Sequence, residues 1–211
     1  MPRPTLLSLF LLALLVTSGQ AQAAPRYVIY LHARIVEEAG RRPTDRAFGT
    51  YEYDAILDSL RRAGFVVLSD QRPPRTDSDS FATHVAQQVD SLLRLGVPPR
   101  AISVIGFSKG GWIAILASSR LQNPAISFVF MGASGPWAFA RPDLHVTGRL
   151  LSVYETSDSL GVSCAPMFTR RGPGSRSREI ALSLGLGHGT FFQPRSAWLA
   201  PAIAWAQGRD P

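Results

Sequence analysis

The sequence predicts an α/β protein with a mostly parallel, doubly wound sheet of about six strands. Short apolar runs rich in β-branched residues alternate along the chain with segments of helical periodicity, and this alternation is typical of βαβ units with helices on both faces of the sheet. The composition agrees with one globular domain. The 211 residues are 45% apolar and 18% charged, which excludes a disordered or collagen-like chain.

The strands are predicted from apolar runs that are too short for buried helices. Most of these runs are bounded by glycine, proline or polar residues, as strands usually are. In chain order the predicted strands cover residues 27–31, 65–68, 101–107, 126–131, 150–155 and 179–184.

The helices are predicted from apolar residues at helical spacing and from end signals. Thr50 is the predicted N-cap of a helix that ends at Gly64, and Ser80 is the predicted N-cap of a helix that ends at Gly96. A helix rich in small residues is predicted over 109–120 and a closing helix over 196–206. Segments 34–49 and 71–79 are predicted to be long polar loops, which in compact domains are often functional or mobile.

The first 23 residues have the features of a secretory signal peptide. Arg3 supplies a positive start, residues 6–16 are apolar except for Ser8, and Ala21-Gln22-Ala23 is a cleavage site of the small-x-small type. The apolar run is too short for an ordinary transmembrane helix. We therefore expect a single mature domain over residues 24–211, exported to a periplasm or the medium and without a stable membrane anchor after cleavage. The alternative that the sequence leaves open is that the segment is not cleaved and serves as a membrane anchor.

Charge and cysteine usage exclude several function classes. There are 22 basic and 15 acidic residues, a formal net charge of +7, but the arginines are scattered and no basic run indicates a nucleic-acid partner. The single cysteine, Cys164, excludes a disulfide scaffold and a multi-cysteine metal site. We predict that it is a small packed side chain, and we expect neither a metal nor a cofactor.

The segment Gly106-Phe107-Ser108-Lys109-Gly110 lies between a predicted strand and a predicted helix. This is the G-x-S-x-G pattern, in which a tight turn presents a nucleophilic serine at the carboxyl edge of the sheet. Glycine fits both flanking positions because a larger side chain would collide with the adjacent strand and helix. The pattern indicates Ser108 as a nucleophile, although an ordinary serine in a glycine-rich turn would look the same.

A serine nucleophile requires a base and a carboxylate that orients the base. His188 follows the last predicted strand between two glycines, whereas His84 and His145 do not follow strand ends. The first choice for the acid is Asp158, just beyond the fifth strand. The alternatives are Glu155, which is closer to that strand, and then Asp143 in the preceding loop.

Two backbone N–H groups are the candidates for binding an oxyanion. The first is that of Lys109, at a helix N-terminus, where the helix dipole favours negative charge. The second is expected after the first strand, where Arg34 is the first choice and Ala33 the second. The side chain of Lys109, the only lysine, either attracts anionic substrates or is an exposed charge beside the turn.

Together these residues resemble the α/β-hydrolase family, over residues 27–206. The order nucleophile, acid, histidine (Ser108, Asp158, His188) matches the family, and His32-Ala33-Arg34 is similar to its His-Gly-x oxyanion turn. The chain departs from the family at Ala33, where a glycine is usual, at Glu155, where a glycine is common, and in lacking the family's first two strands. The resemblance implies a sheet order of 2-1-3-4-5-6.

The resemblance implies a small serine hydrolase without a large cap, since only residues 132–149 separate the fourth and fifth strands. Its substrate would be a small molecule with an ester or related acyl bond, and His32, Trp112 and Trp137 are candidates for the substrate pocket. The sequence leaves open whether this is an esterase, lipase, thioesterase or peptidase, and the oligomeric state. The alternative is a non-catalytic exported binding protein with the same fold. Nucleotide binding is disfavoured because the lysine precedes a glycine rather than the Ser or Thr of a P-loop.

Overall fold

The structure, a computed structural model, describes residues 24–211. The predicted signal peptide lies outside the described residues. Among those residues, no helix is long and apolar enough to cross a membrane.

The central feature is a sheet of six strands, all paired in parallel. Its order is β4-β1-β5-β6-β7-β8, which is 2-1-3-4-5-6 when the six strands are counted along the chain, so the predicted fold class and order are confirmed. The strands are β1 (Arg26–Leu31), β4 (Phe65–Leu68), β5 (Ile102–Phe107), β6 (Ser127–Met131), β7 (Arg149–Glu155) and β8 (Arg176–Leu182). Two further strands, β2 (Thr44–Asp45) and β3 (Gly49–Thr50), form a small antiparallel hairpin.

Helices cover both faces of the sheet. The helices are α1 (Arg34–Ala39), α2 (Tyr53–Arg62), α3 (Ser78–Arg94), α4 (Lys109–Leu121), α5 (Pro136–Phe139), α6 (Ala165–Phe168) and α7 (Ser196–Ala206). Helices α3 to α6 pack on one face, and α1, α2 and α7 on the other. Short 3₁₀ helices cover Pro99–Ala101 and Gly187–Phe191.

Strand β5 shows why the sheet is buried on both sides. All six of its residues are buried. Ile102 and Val104 contribute to the core under α3 and α4, and Ile105 and Phe107 contribute to the core under α2 and α7, as the alternation of side chains in a strand requires. The turn that follows this strand is therefore held by two packed layers.

Two predicted helix starts are wrong. Helix α3 begins at Ser78, and its N-cap is Asp77, whose side chain accepts a hydrogen bond from the N–H of Ser80 at 2.8 Å. The aspartate is the better cap because its charged oxygen also interacts favourably with the helix dipole. Thr50 does not cap α2. It lies in β3, and its hydroxyl bonds that of Thr44 at 3.0 Å.

The predicted polar loop over 34–49 is also wrong, because it contains α1 and the β2–β3 hairpin. Val36 and Glu37 of α1 are buried, and Phe48 packs against the core below α2. The last strand, β8, starts at Arg176 rather than at residue 179. Its first residues are charged or polar, as befits an edge strand, and so they lack the apolar signal on which the prediction rested.

Candidate active site

Ser108 lies in the turn between β5 and α4 with φ 54° and ψ −121°, a positive φ that is uncommon for a residue other than glycine. Its N–H donates to the Met131 carbonyl at 2.9 Å, and its carbonyl accepts from the N–H of Trp112 at 2.9 Å. These bonds hold the turn against the end of β6 and the start of α4. The serine is therefore fixed at the carboxyl edge of the sheet in a conformation that costs free energy.

The glycines on either side of Ser108 are required by close packing. A Cβ atom on Gly106 would lie 2.3 Å from the carbonyl oxygen of Gly110, and one on Gly110 would lie 2.0 Å from that of Leu31. Both distances are well below the van der Waals contact distance. The turn therefore brings the N-terminus of α4 directly against the end of β1.

His188 and Asp158 form a hydrogen-bonded pair beside this turn. The Nδ1 of His188 lies 2.6 Å from Oδ2 of Asp158, and both residues are buried. Since a carboxylate only accepts, Nδ1 carries the proton and Nε2 is left as the acceptor. The other carboxylate oxygen, Oδ1, accepts from the N–H of Leu160 at 2.8 Å, which fixes the orientation of Asp158.

Gly132 and Phe107 bring this pair next to the serine. Gly132 follows Met131, whose carbonyl holds Ser108, and a Cβ atom on Gly132 would lie 3.3 Å from Asp158 Oδ2 and 3.3 Å from His188 Cε1. The ring of Phe107 lies 4.7 Å from the imidazole, centroid to centroid. Ser108 and His188 line the same cavity, of about 510 Å³.

No hydrogen bond joins the Ser108 hydroxyl to the imidazole in the part of the chain that the structure describes. Catalytic hydrogen bonds are often long or poorly aligned in unliganded enzymes and tighten when substrate binds. The arrangement thus consists of a bonded His188–Asp158 pair and a serine on the wall of the same cavity.

The two alternative acids lie elsewhere. Glu155 is buried and accepts from the N–H of Leu184 at 2.9 Å and from that of Gly185 at 3.3 Å. Burial alone would raise the pKa of Glu155, but these amide hydrogen bonds, with that from Ser157, hold it below its usual value. The carboxylate thereby fixes the loop before His188 instead of contacting the imidazole. Asp143 is exposed and paired with Arg141.

The residues that carry the candidate oxyanion donors line the cavity from two elements. Ala33 and Arg34 at the start of α1 line it, as does Lys109 at the start of α4. The first N–H groups of a helix have no carbonyl partner within the helix, so they are free to bind an anion. The contact of Gly110 with the end of β1 places these two helix starts side by side.

Two of the three residues predicted for the substrate pocket line the cavity. The rings of Trp112 and Trp137 meet edge to face, with centroids 4.5 Å apart and an angle of 90°. Trp137 is 49% exposed and, with Leu160, leaves an apolar wall open to solvent. The prediction that His32 lines the substrate pocket is corrected, since His32 is fully buried and does not reach the cavity.

His32 is held below the cavity by hydrogen bonds on both ring nitrogens. Its Nε2 accepts from the backbone N–H of Arg72 at 2.9 Å, so its Nδ1–H donates to the Ala33 carbonyl at 2.8 Å. Burial, and then the charge of Arg72, lower the pKa of His32 to about 3. The imidazole is therefore neutral and supports the turn after β1.

Sequence reasoning missed the part of the cavity wall that segment 34–49 provides. Ile35, Glu38, Asp45 and Phe48 all line the cavity, and the Phe48 ring lies 6.0 Å from that of His188. The sequence offered one signal, the isolated Phe48 in a polar stretch, which marks a side chain that needs an apolar partner.

Two further predictions concern Lys109 and Cys164. Lys109 lines the cavity, but its Nζ is bonded to Glu37 at 2.6 Å and its side chain is only 18% exposed, so it is not a free, exposed charge. Cys164 is buried, as predicted. Within residues 24–211, no group of three or more His, Cys, Asp or Glu residues is arranged to hold a metal ion.

No family model matches the chain, and no curated protein matches it significantly in sequence. Solved structures, in contrast, match it in three-dimensional arrangement. SOBER1 from Arabidopsis thaliana is 12% identical with a TM-score of 0.57, and the match covers 85% of this chain and 100% of SOBER1. A mutant of the esterase E40 is 16% identical with a TM-score of 0.63, over 88% of this chain and 77% of the esterase.

A third similar structure, described as a YdeN-like hydrolase from Pectobacterium atrosepticum, is 13% identical with a TM-score of 0.54, over 89% of this chain and 94% of that protein. At such identities the likeness lies in the arrangement of strands and helices, not in sequence. The resemblance seen in the sequence is thus matched by the three-dimensional arrangement. The chain has the α/β-hydrolase fold.

Proposed function

We propose that this protein is a serine hydrolase that cleaves an ester or related acyl bond through an acyl-enzyme. One observation carries the proposal: the His188 imidazole is bonded to Asp158 at 2.6 Å on the wall of the cavity that also contains Ser108 in its strained turn. An acceptor nitrogen, a carboxylate behind it and an exposed hydroxyl are the three parts of a nucleophilic acyl-transfer site.

In this proposal Ser108 Oγ attacks the acyl carbonyl while His188 Nε2 takes the hydroxyl proton. Asp158 keeps the imidazole in the Nδ1–H tautomer and stabilises its charged form. His188 then gives the proton to the departing alkoxide. A water molecule next attacks the acyl-enzyme, with His188 again as the base, and releases the acid and the free serine.

The negative charge of the tetrahedral intermediate would be bound by the N–H groups of Lys109 and Arg34. Each donor of this kind contributes roughly 3 to 4 kcal/mol to the transition state in a well-studied serine protease. Ala33 stands where the family usually has glycine, and the short helix α1 begins directly after it. The donor from this side is thus a helix N–H rather than one from a flexible loop.

The cavity wall supports a substrate with an apolar group. Trp112, Trp137 and Leu160 form one side, and the exposed edge of Trp137 leaves the cavity open to solvent. Segment 132–149 contributes only the four-residue helix α5 over the site, in place of a large cap. The proposed substrate is therefore a small ester whose apolar part packs against this tryptophan pair.

The test is labelling with a fluorophosphonate together with hydrolysis of p-nitrophenyl esters from acetate to octanoate. The wild type should be labelled, and Ser108→Ala should lose both labelling and hydrolysis. Ser91→Ala, on the exposed surface of α3, is the matched control and should behave as the wild type.

A wild-type protein that is not labelled and hydrolyses no ester, thioester or amide would refute the proposal. Full activity in Ser108→Ala would refute it as well. In the first case the alternative, a non-catalytic exported protein that binds small molecules in this cavity, would be favoured.

A further inference from the structure

A buried group of charges lies directly behind the candidate oxyanion turn, and the proposed reaction does not use it. The Glu37 carboxylate is completely buried and lies between two cations. Its Oε1 accepts from Arg72 Nε at 2.6 Å, and its Oε2 accepts from Lys109 Nζ at 2.6 Å. Arg72 is completely buried, and the Lys109 side chain is 18% exposed.

These bonds connect the two elements that carry the candidate oxyanion donors. Glu37 is on α1, one turn after Arg34, and Lys109 is the first residue of α4. Arg72 extends the connection, because its backbone N–H donates to His32 Nε2 at 2.9 Å and its side chain donates to the His32 carbonyl. Lys109 Nζ also donates to the Thr76 carbonyl at 2.6 Å.

Stability alone does not account for these buried charges. Desolvation of a buried ion pair commonly offsets its Coulomb attraction, so that packed apolar residues of similar size would hold the fold as well or better. One Arg72 nitrogen, Nη1, is buried without a hydrogen-bond partner in residues 24–211, which adds to the desolvation cost of burying these charges. What such a group does provide is a defined geometry, because each short charged hydrogen bond fixes a distance and a direction.

We infer that Glu37 is a positioning residue for the oxyanion site, and that its bond to Lys109 fixes the start of α4 relative to the turn after β1. The inference rests on the proposed function, since it concerns where the Lys109 and Arg34 N–H groups point. Donors aimed at a developing oxyanion act through preorganisation, so a small displacement reduces the rate without weakening ground-state binding. Glu37 itself contacts no substrate.

The test compares fluorophosphonate labelling of wild type and Glu37→Gln over a range of reagent concentrations. The maximal labelling rate should fall about tenfold, while the half-saturating concentration stays within about twofold. Hydrolysis of esters should show the same split, with kcat reduced and KM nearly unchanged. Asp79→Asn is the matched control, because it removes an exposed ion pair with Arg120 near the other end of α4 and should label at the wild-type rate.

Lys109→Met is a second variant in case Glu37→Gln does not fold. It removes the bond to Glu37 and also the bond to the Thr76 carbonyl, keeps the backbone N–H of residue 109 and leaves Glu37 paired with Arg72. It should slow labelling at least as much as Glu37→Gln, and the double variant should be no slower than Lys109→Met alone. Folded variants that label at the wild-type rate would overturn the inference while leaving the proposed function intact. An unlabelled wild type would instead refute the proposed function, and this inference with it.

Discussion

At the residue scale, Ser108 shows how the fold accepts a local cost to expose a hydroxyl. A non-glycine residue held at a positive φ costs of order 1 to 3 kcal/mol. Here φ is 54°, and the turn is held by the bond to Met131 and by the fully buried strand that precedes it. The packing that offsets this cost is also what places Gly132, and through it His188 and Asp158, against the same turn.

Asp158 and Glu155 are three residues apart and both are buried. We predict that loss of Asp158 mainly reduces kcat, whereas loss of Glu155 mainly reduces stability. Asp158→Asn should lower kcat by a large factor, of the order of 10⁴ by analogy with a serine protease, with little change in stability. Glu155→Gln should mainly lower the free energy of unfolding, by about 2 kcal/mol, because the Leu184 and Gly185 amides lose a charged acceptor. Ester kinetics and urea unfolding measure the two effects.

The matched pair also decides which carboxylate orients the imidazole. If Glu155→Gln lost as much kcat as Asp158→Asn and kept its stability, Glu155 would be the acid and the 2.6 Å bond from His188 to Asp158 would be incidental. A modest fall in kcat for Glu155→Gln is expected, because the loop that carries His188 would be held less firmly.

At the scale of elements, the sequence was most informative where one pattern dominates. Strand 65–68 and helix 196–206 are found where they were predicted, because each is an almost wholly apolar segment with clear end signals in the sequence. Helix α1 could not be predicted: six residues are too few for a periodic pattern, and its key buried residue is Glu37, which reads as a surface residue until Arg72 and Lys109 are placed around it.

In the site, too, the parts that have a local sequence pattern could be predicted, and those that depend on tertiary contacts could not. The G-x-S-x-G turn has its own sequence signature, and Ser108 followed from it. Asp158 could only be ranked above Glu155. Glu155 ends β7 and Asp158 follows three residues later, so their roles depend on whether the His188 ring or the backbone of its loop lies nearer. That choice is made by tertiary packing around Gly132, which no local pattern encodes.

Helix α5 provides an element-scale prediction about substrate preference. Trp137→Ala removes the outer half of the tryptophan pair and with it an apolar surface beside Ser108. We expect kcat/KM for p-nitrophenyl octanoate to fall about tenfold, since tenfold corresponds to about 1.4 kcal/mol of lost apolar contact, while acetate hydrolysis changes less than twofold.

Leu95→Ala is the control for this variant, because Leu95 is 79% exposed and follows α3, outside the cavity wall. It should leave the preference for chain length unchanged. Equal losses on acetate and octanoate in Trp137→Ala would show that the tryptophan supports the turn rather than the acyl group.

At the scale of the whole molecule, the candidate site lies where the packed layers meet at the carboxyl edge of the sheet. The core under α3 and α4 supports Trp112, and the core under α2 and α7 supports Phe107 and, through Phe48, the His188 ring. Between them lie the buried polar groups His32, Glu37 and Arg72. Cooperative unfolding must therefore expose the cores and this polar layer together, so the ionisation of the layer affects global stability.

His32 makes this connection measurable. Its pKa is lowered from 6.5 to about 3 in the folded protein, by burial first and then by the charge of Arg72. Below pH 6.5 the unfolded chain therefore binds a proton that the folded chain does not, so the free energy of unfolding falls as the pH falls, by up to about 1.4 kcal/mol per pH unit. Between pH 7 and pH 5 the loss from this one group should be about 2 kcal/mol.

His32→Gln should be less stable than the wild type at pH 7, yet the difference should shrink by about that amount at pH 5, as measured by urea unfolding at each pH. Parallel curves for the two proteins would mean that the buried imidazole accepts its proton without opening the layer behind the oxyanion turn.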